Sequence, residues 1–324
     1  MAGMVVRGEK MEVVQGTAPV KVAQRRMTLS HLRDREEWLG PLMIGPAVLY
    51  IVLVVGFAFF LAIYYSFSDI TLGGRSLGFV GLKNFSAIIG NTNFRTAIGN
   101  TFVFAVGSQV LVLVLANILA LALLKDFRGK WFFRLLILLP WVAPISLGTI
   151  GWLWILDSTY SVINWTLQAL RIIDPKARLI WLGVPHLAMG SIITVHVWRL
   201  LPLATVIILA GLSSIPKDIH DAAQMDGAGF WRHYFQITTP LLLPVSMVAL
   251  LFGLVFAFTD MTVIYVLTRG GPYDTTQVLA SLAFFTGVVG GDTAEGAAIS
   301  LFLFPLLLAV AIAFLRIARR AEVT

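Results

Sequence analysis

Arg199 and Asp260 are charged residues inside long apolar runs. Charge in hydrocarbon is expensive. Such a side chain must face a bundle interior, a wet cavity or an opposite charge. Arg199 sits roughly 12 residues from the outer end of its run, about 18 Å deep, and Asp260 about 10 Å deep, at the helical rise per residue. The two runs are consecutive and antiparallel, so an Arg199–Asp260 pair is geometrically possible. A pair that only fixes helix packing and a pair that lines a solute path are both open at this level. His196 lies one turn before Arg199 and reads as a packing or hydrogen-bonding residue. No second ligand at suitable spacing and no His/Cys cluster makes it a metal site.

The second stretch with chemistry is Ser213–Pro244, SSIPKDIHDAAQMDGAGFWRHYFQITTPLLLP. It is the longest polar-rich interruption in the second half of the chain. Ser213 or Ser214 is expected to cap a helix with Pro216 in its first turn. Asp218 and Asp221 complement the helix N-terminus. The helix is expected to run to Asp226 and to end where Gly227 turns left-handed. A second short helix would carry Phe230, Trp231, Tyr234 and Phe235, with Pro240 and Pro244 marking re-entry into the membrane. The result would be two short helices across one mouth of the bundle. The small face of Ala222, Ala223, Gly227 and Ala228 permits close approach, and the aromatics supply the bulk of interface anchors. By residue chemistry alone, this loop either docks on a protein or lies on lipid headgroups.

These stretches are positioned by an apolar frame. The chain is 58% hydrophobic and 13% charged, whereas a soluble domain carries about 25% charged residues. The expected class is all-α, a polytopic membrane protein. Six runs are long enough to span: Leu39–Phe67, Ala97–Leu124, Phe133–Leu156, Leu187–Leu212, Leu241–Leu267 and Ala297–Leu315. Pro41 and Pro46 stand near the start of the first. Pro140, Pro144, Pro202 and Pro305 lie inside spans and predict kinks or breaks. The expected organisation is an N-terminal tail over 1–38, a six-span domain over 39–318 with its polar loop at 213–244, and a C-terminal tail over 319–324.

Charge sets the orientation. Sixteen Lys/Arg fall on the side of the termini: seven in the N-tail (Arg7 to Arg35), then Lys125, Arg128, Lys130, Arg134, Lys217, Arg232, Arg316, Arg319 and Arg320. Seven fall on the other side: Arg75, Lys83, Arg95, Arg171, Lys176, Arg178 and Arg269. Both termini and the 213–244 loop are therefore expected in the cytoplasm. The net charge of +7 reflects this asymmetry, and nucleic acid is not an expected partner. The first apolar run is too long for a signal-peptide core and reads as an uncleaved span. Met27–Leu39 alternates charged and apolar groups, as either a solvated tail or a surface helix. On the opposite side, Gly78–Phe104 is expected to be a loop leading into a helix. Residues 158–186 are expected to hold a short helix ending near Pro175. Trp141, Trp152, Trp154 and Trp165 form an interfacial belt or stack on a sugar, the belt being the expected role for most.

Cysteine is absent, which excludes disulfides and thiolate metal sites. No G-x-x-x-x-G-K-[ST] motif, nucleophile elbow or HExxH is found, so the chain has no cradle for ATP and no visible catalytic constellation. It reads as no enzyme, binding no cofactor itself.

The run DAAQMDGAGFWRHYFQITTP resembles the EAA loop of ABC-importer permeases. The match falls on Asp221, Ala222, Ala223, Gly227, Ile237 and Pro240, with Asp221 in place of glutamate and Thr239 in place of leucine. Phe79–Phe104, LLPWVAP, YSVINWTLQAL, WRLLPLATVIILAGLSSIP and YVLTRGGP at Tyr265–Pro272 are similar to the carbohydrate-uptake branch. The likeness covers about residues 40–318. It implies the MetI-like, type I importer architecture in a bacterial or archaeal plasma membrane. It implies two ATP-binding subunits holding ATP and magnesium, a second homologous permease forming a heterodimer, an external solute-binding protein, and a carbohydrate substrate. It assigns ATPase coupling to Asp221, Ala222, Ala223, Asp226, Gly227, Ala228 and Phe230. It places Trp198, Arg199, Leu203, Phe258, Thr259 and Asp260 along the substrate path. Competing readings are a permease for a sugar phosphate, phosphodiester or polyamine, and an ion-coupled secondary transporter using Arg199 and Asp260 as a relay.

Overall fold

A computed structural model describes residues 36–71 and 78–322, with side chains over 40–71 and 78–316. The N-tail arginines and lysines, Arg75, and most of the Met27–Leu39 segment lie outside the described residues, as do the side chains of Arg319 and Arg320. The described residues divide between Phe57 and Ala58 into two compact units. In the first, α1 (Glu36–Ser66) begins, and its side chains Leu42, Ile44, Leu49, Ile51 and Leu53 are exposed. An apolar exposed face is what a lipid-facing helix requires.

In the second unit, α2 (Lys83–Gly90) leads into α3 (Thr92–Leu124), which starts five residues before the expected Ala97. Asn91 caps it, its side chain accepting the Asn93 N–H at 2.8 Å. The expected third span is broken into α4 (Lys130–Val142) and α5 (Ile145–Ile155), bent by 98°. The cause is Pro144. It forces Ala143 out of the helical region, to φ −65° and ψ 140°, so α4 must stop there. A short α6 (Val162–Ala169) follows, ending well before the expected Pro175, and then α7 (Pro185–Ser214). Pro202 and Pro305 were expected to kink or break their spans; neither breaks its helix, and α7 and α13 run on through them. Pro202 is buried in the bundle, where packing outweighs one missing donor.

The polar loop supplies α8 (Lys217–Met225). The expected cap is corrected: Pro216 holds the N-cap position, while Ser213 and Ser214 are the last turn of α7 and donate to the carbonyls of Leu209 and Gly211. The second short helix is also corrected. α9 (Phe230–His233) passes through a π turn, Tyr234–Thr238, directly into α10 (Thr239–Thr259), giving one 30-residue helix over Phe230–Thr259. Pro240 is therefore inside the element and marks no re-entry. The wider turn just before it accommodates the donor that proline lacks, with Thr239 N–H reaching back to the Tyr234 carbonyl. The expected fifth span is cut at its far end: Asp260 is extended and α11 (Thr262–Leu267) is separate. Next come α12 (Leu279–Phe284), with a π turn over Phe285–Val289, and α13 (Thr293–Glu322). Among the described residues five helices are long and apolar enough to cross a membrane, or six if the bent α4–α5 pair is one span.

The core lies where α3 meets α7. Val112, Ala116 and Ala120 pack against Val197, Leu200, Ala204, Ile208 and Leu212. The first row repeats every four residues and the second every three or four, with alanines in both, as expected of helix packing without a hydrophobic drive from lipid. α12 is stitched to α3 by polar bonds: Asn100 Nδ2 donates to the carbonyls of Thr275 and Gln277, and the Leu279 N–H donates to Thr101 Oγ1.

Candidate functional site

Two arrangements carry chemistry, at α8 and at the meeting of α7 with the end of α10. In the second, Arg199 and Asp260 pair through Nη1 and Oδ2. Their side chains are 19% and 10% exposed. The other oxygen, Oδ1, accepts the Thr262 N–H at 2.8 Å. Asp260 thus starts α11 and holds the guanidinium at once, which explains why α10 stops there. Arg199 Cζ lies 5.8 Å from the centre of the Phe256 ring, a cation–π contact. Removing one member of such a pair strands a buried charge at about 3–5 kcal/mol.

Aromatic rings surround the pair. Trp198 meets Trp152 edge-on at 5.7 Å, and Trp141 meets Phe256 in the same way at 5.7 Å. Of the four tryptophans read as a belt, Trp141 and Trp152 are half-buried, whereas Trp154 and Trp165 are exposed. The bend of α4–α5 covers this region. Pro140, Pro144 and Gly148 face Trp198 and Arg199 across a gap with a water-accessible volume of 0 Å³. Gly148 makes the approach close: a Cβ there would sit 3.3 Å from the Trp198 ring, and the ring would have to shift slightly.

The structure divides the six expected path residues. Trp198, Arg199 and Asp260 are together. Leu203 is half-buried one turn along α7. Phe258 is 3% exposed and packs edge-on against Phe102, within the cluster of Phe104, Ile192 and Ile264. Thr259 is exposed and its hydroxyl donates to the Val255 carbonyl. Phe256 was not anticipated, although its place four residues before Asp260 puts both on one helix face. His196 is fully buried against the Phe104 ring, centroids 4.7 Å apart.

At the other site, α8 ends as the glycine signal requires. Gly227 adopts φ +71°. Its N–H donates to the Gln224 carbonyl, and the Ala228 N–H donates to the Ala223 carbonyl, both at 3.0 Å. This is a Schellman closure. Asp221, Ala222, Asp226 and Gly227 are exposed, Ala223 is buried and Ala228 half-buried. Beyond the turn Phe230 stacks on Tyr234, and Trp231 on Phe235, with interplanar angles of 9° and 12°. Met225, Phe230, Trp231 and Phe235 are 89%, 65%, 69% and 59% exposed, a patch that marks an interaction surface.

Two contacts missed in the sequence fasten this surface, and a third braces the α3–α4 turn. His220 Nδ1 lies 2.9 Å from His233 Nε2, joining α8 to α9. Tyr234 Oη donates to Asn117 Oδ1 on α3 at 3.2 Å. At the α3–α4 turn Asp126 accepts from Lys130. That bond, with Arg134 and Lys217 nearby, holds the Asp126 carboxyl below the usual carboxylate range.

The model of the binding-protein-dependent transport system inner membrane component family matches residues 112–323, from the middle of α3 through α13. The chain belongs to this family of permeases. The trehalose/maltose transport system permease protein MalF of Thermococcus litoralis is 34% identical over 90% of this chain and 97% of its own. The sulfoquinovosyl glycerol transport system permease protein SmoG of Agrobacterium fabrum is 31% identical over 88% and 91%. The crystal structure of a bacterial ABC transporter involved in import of the acidic polysaccharide alginate superposes with a TM-score of 0.76, at 19% identity over 90% of this chain and 98% of that one. Its likeness establishes the fold. Both sites of the permease, α8 and the Arg199–Asp260 pair, fall within the family match.

Proposed function

We propose that this permease is the membrane subunit of an ATP-driven carbohydrate importer, with α8 as its docking element for a separate ATPase. The observation that carries the reading is continuity. The exposed surface of α8 is closed by Gly227 and clipped to α9 by the histidine pair, and the helix entered at Phe230 runs unbroken to Asp260. A displacement of α8 is thus delivered to the residue that holds Arg199. Two access states respond to ATP only if ATP and substrate favour different ones, and a stiff helix between the two sites is one way to link them. The carbohydrate assignment follows the relatives, named for trehalose/maltose, sulfoquinovosyl glycerol and sn-glycerol-3-phosphate transport. Indole faces beside a hydrogen-bonding guanidinium and carboxylate suit sugar hydroxyls. Asp260 already neutralises Arg199, so selection at this level falls to hydrogen bonding and ring contact more than to charge.

The proposed assembly has two ATP-binding subunits carrying ATP and magnesium, a second homologous permease, and an external solute-binding protein. This chain would bind no nucleotide and catalyse no reaction. Asp221, Ala222, Ala223, Asp226, Gly227, Ala228 and Phe230 would face the ATPase. Trp198, Arg199, Asp260, Leu203 and Thr259 would border the path, with Phe258 supporting them from the core. Both termini and α8 would lie in the cytoplasm of a bacterial or archaeal cell, with residues 1–38 and 319–324 as tails. The test is Gly227→Val. A Cβ at Gly227 meets open space, but a left-handed β-branched residue costs about 1–2 kcal/mol. We expect the variant to reach the membrane in normal amount yet lose uptake and binding-protein-stimulated ATPase activity. Full coupling in that variant would remove α8 from the docking role.

A further inference from the structure

We infer that a cleft beside α6 is a receiving site for a saccharide bearing an anionic group. It lies near the start of α7, whose 30 residues separate it from α8 by about 45 Å. Its volume is about 610 Å³, within the roughly 300–1,000 Å³ of small-molecule sites. Around α6 the lining carries Tyr160 and Trp165, 79% and 68% exposed. The segment after Pro175 adds Lys176 and Arg178.

The walls are held at a set separation. Asn164 is 4% exposed. Its Nδ2 donates to the Leu179 carbonyl, and its Oδ1 accepts from Trp181 Nε1, both at 3.0 Å. One turn on, Gln168 Nε2 donates to the Ala177 carbonyl at 2.8 Å. Ser161 caps α6 and donates to the Ile155 carbonyl. Three elements are thereby fastened around the opening, so little ordering remains to be done on binding.

The lining contains two cations and no carboxylate. The acids at its rim are turned to backbone: Asp157 accepts the N–H groups of Thr159 and Tyr160, and Asp174 that of Lys176. Neither Lys176 nor Arg178 is in an ion pair among the described residues. An exposed indole offers a platform for a pyranose face, and a guanidinium in the same lining offers paired donors to a carboxylate, sulfonate or phosphate. The charge that Asp260 cancels at Arg199 is free here, so the cleft reads charge before the interior reads hydroxyls. This inference rests on the carbohydrate reading above.

The experiment uses the full chain with its partner subunits in phosphatidylcholine nanodiscs, with digalacturonate as the anionic probe and lactose as the neutral one. Arg178→Gln should weaken digalacturonate binding about tenfold or more and leave lactose unchanged. Trp165→Ala should weaken both. No digalacturonate binding by the wild type, or equal binding by Arg178→Gln, overturns the proposal. So does competition by phosphatidylglycerol, which makes the cleft a headgroup site. Weaker attachment of the solute-binding protein by Arg178→Gln at unchanged saccharide affinity also overturns it, making the cleft a protein contact. The two readings fail separately. Loss of the Gly227→Val effect with this binding contrast intact removes only the coupling role, and the converse removes only the cleft.

Discussion

At the scale of single residues, Asp260 explains most. One carboxylate holds the first N–H of α11 and neutralises Arg199, so its two contacts should fail together. We expect Asp260→Ala to destabilise the purified protein by about 3–5 kcal/mol, because Arg199 is left buried and unpaired. Arg199→Met alone should cost a similar amount. The double variant should recover much of the loss, a coupling that a double-mutant cycle on detergent-solubilised protein would measure. Additive losses would mean that the two groups act independently. Both residues stood out in the sequence, because charge inside an apolar run needs a reason. Their pairing was legible only as a geometric possibility, because Asp260 reaches Arg199 where α10 breaks, and the break belongs to the folded chain.

At the scale of elements, helices and their interruptions carry the function. The α4–α5 bend arises from Pro144 acting on Ala143 and seats Gly148 over Trp198. Pro144→Ala should let the helix continue through the break. Spin labels on α4 and α5 should then separate as the 98° angle opens, and uptake should fall; an unchanged distance distribution would relocate the cause of the bend. In the coupling region, Tyr234→Phe removes only the hydroxyl that reaches Asn117. We expect a loss of about 1 kcal/mol in stability and weaker coupling, read as ATPase activity per sugar moved. A proline breaks the helix at Pro144, whereas the helices continue through Pro202 and Pro240. Pro144 is exposed, with no packed neighbours to hold a helix through it, whereas Pro202 is buried among neighbours that do, and at Pro240 the preceding π turn takes up the missing donor.

For the whole molecule the central claim is sidedness. The absence of cysteine makes it directly testable, since any introduced thiol is the sole target. Met225→Cys, at the 89% exposed tip of α8, should react with an impermeant maleimide only in inside-out vesicles. Tyr160→Cys, 79% exposed at the α6 cleft, should react only from the outside of intact cells. Labelling of both from one side would invert or abolish the proposed topology. The pattern would place the ATPase-facing surface and the charged cleft across the bilayer from one another, joined by α7 and by Phe230–Thr259.

The sequence alone determined the class, most of the spans, the left-handed turn at Gly227 and the family resemblance on the 213–244 loop. Each of these depends on local chemistry: apolar length, a missing Cβ, the order of residues in one loop. The tertiary structure alone decided that the loop's second helix is the start of the fifth span. It also decided that Phe258 belongs to the core while Phe256 meets Arg199, that His220 joins α8 to α9, and that Tyr234 joins the following helix to α3. These are facts of rotation and register between helices. A turn of about 100° per residue decides which ring faces a partner, and that angle is fixed only when the whole bundle packs.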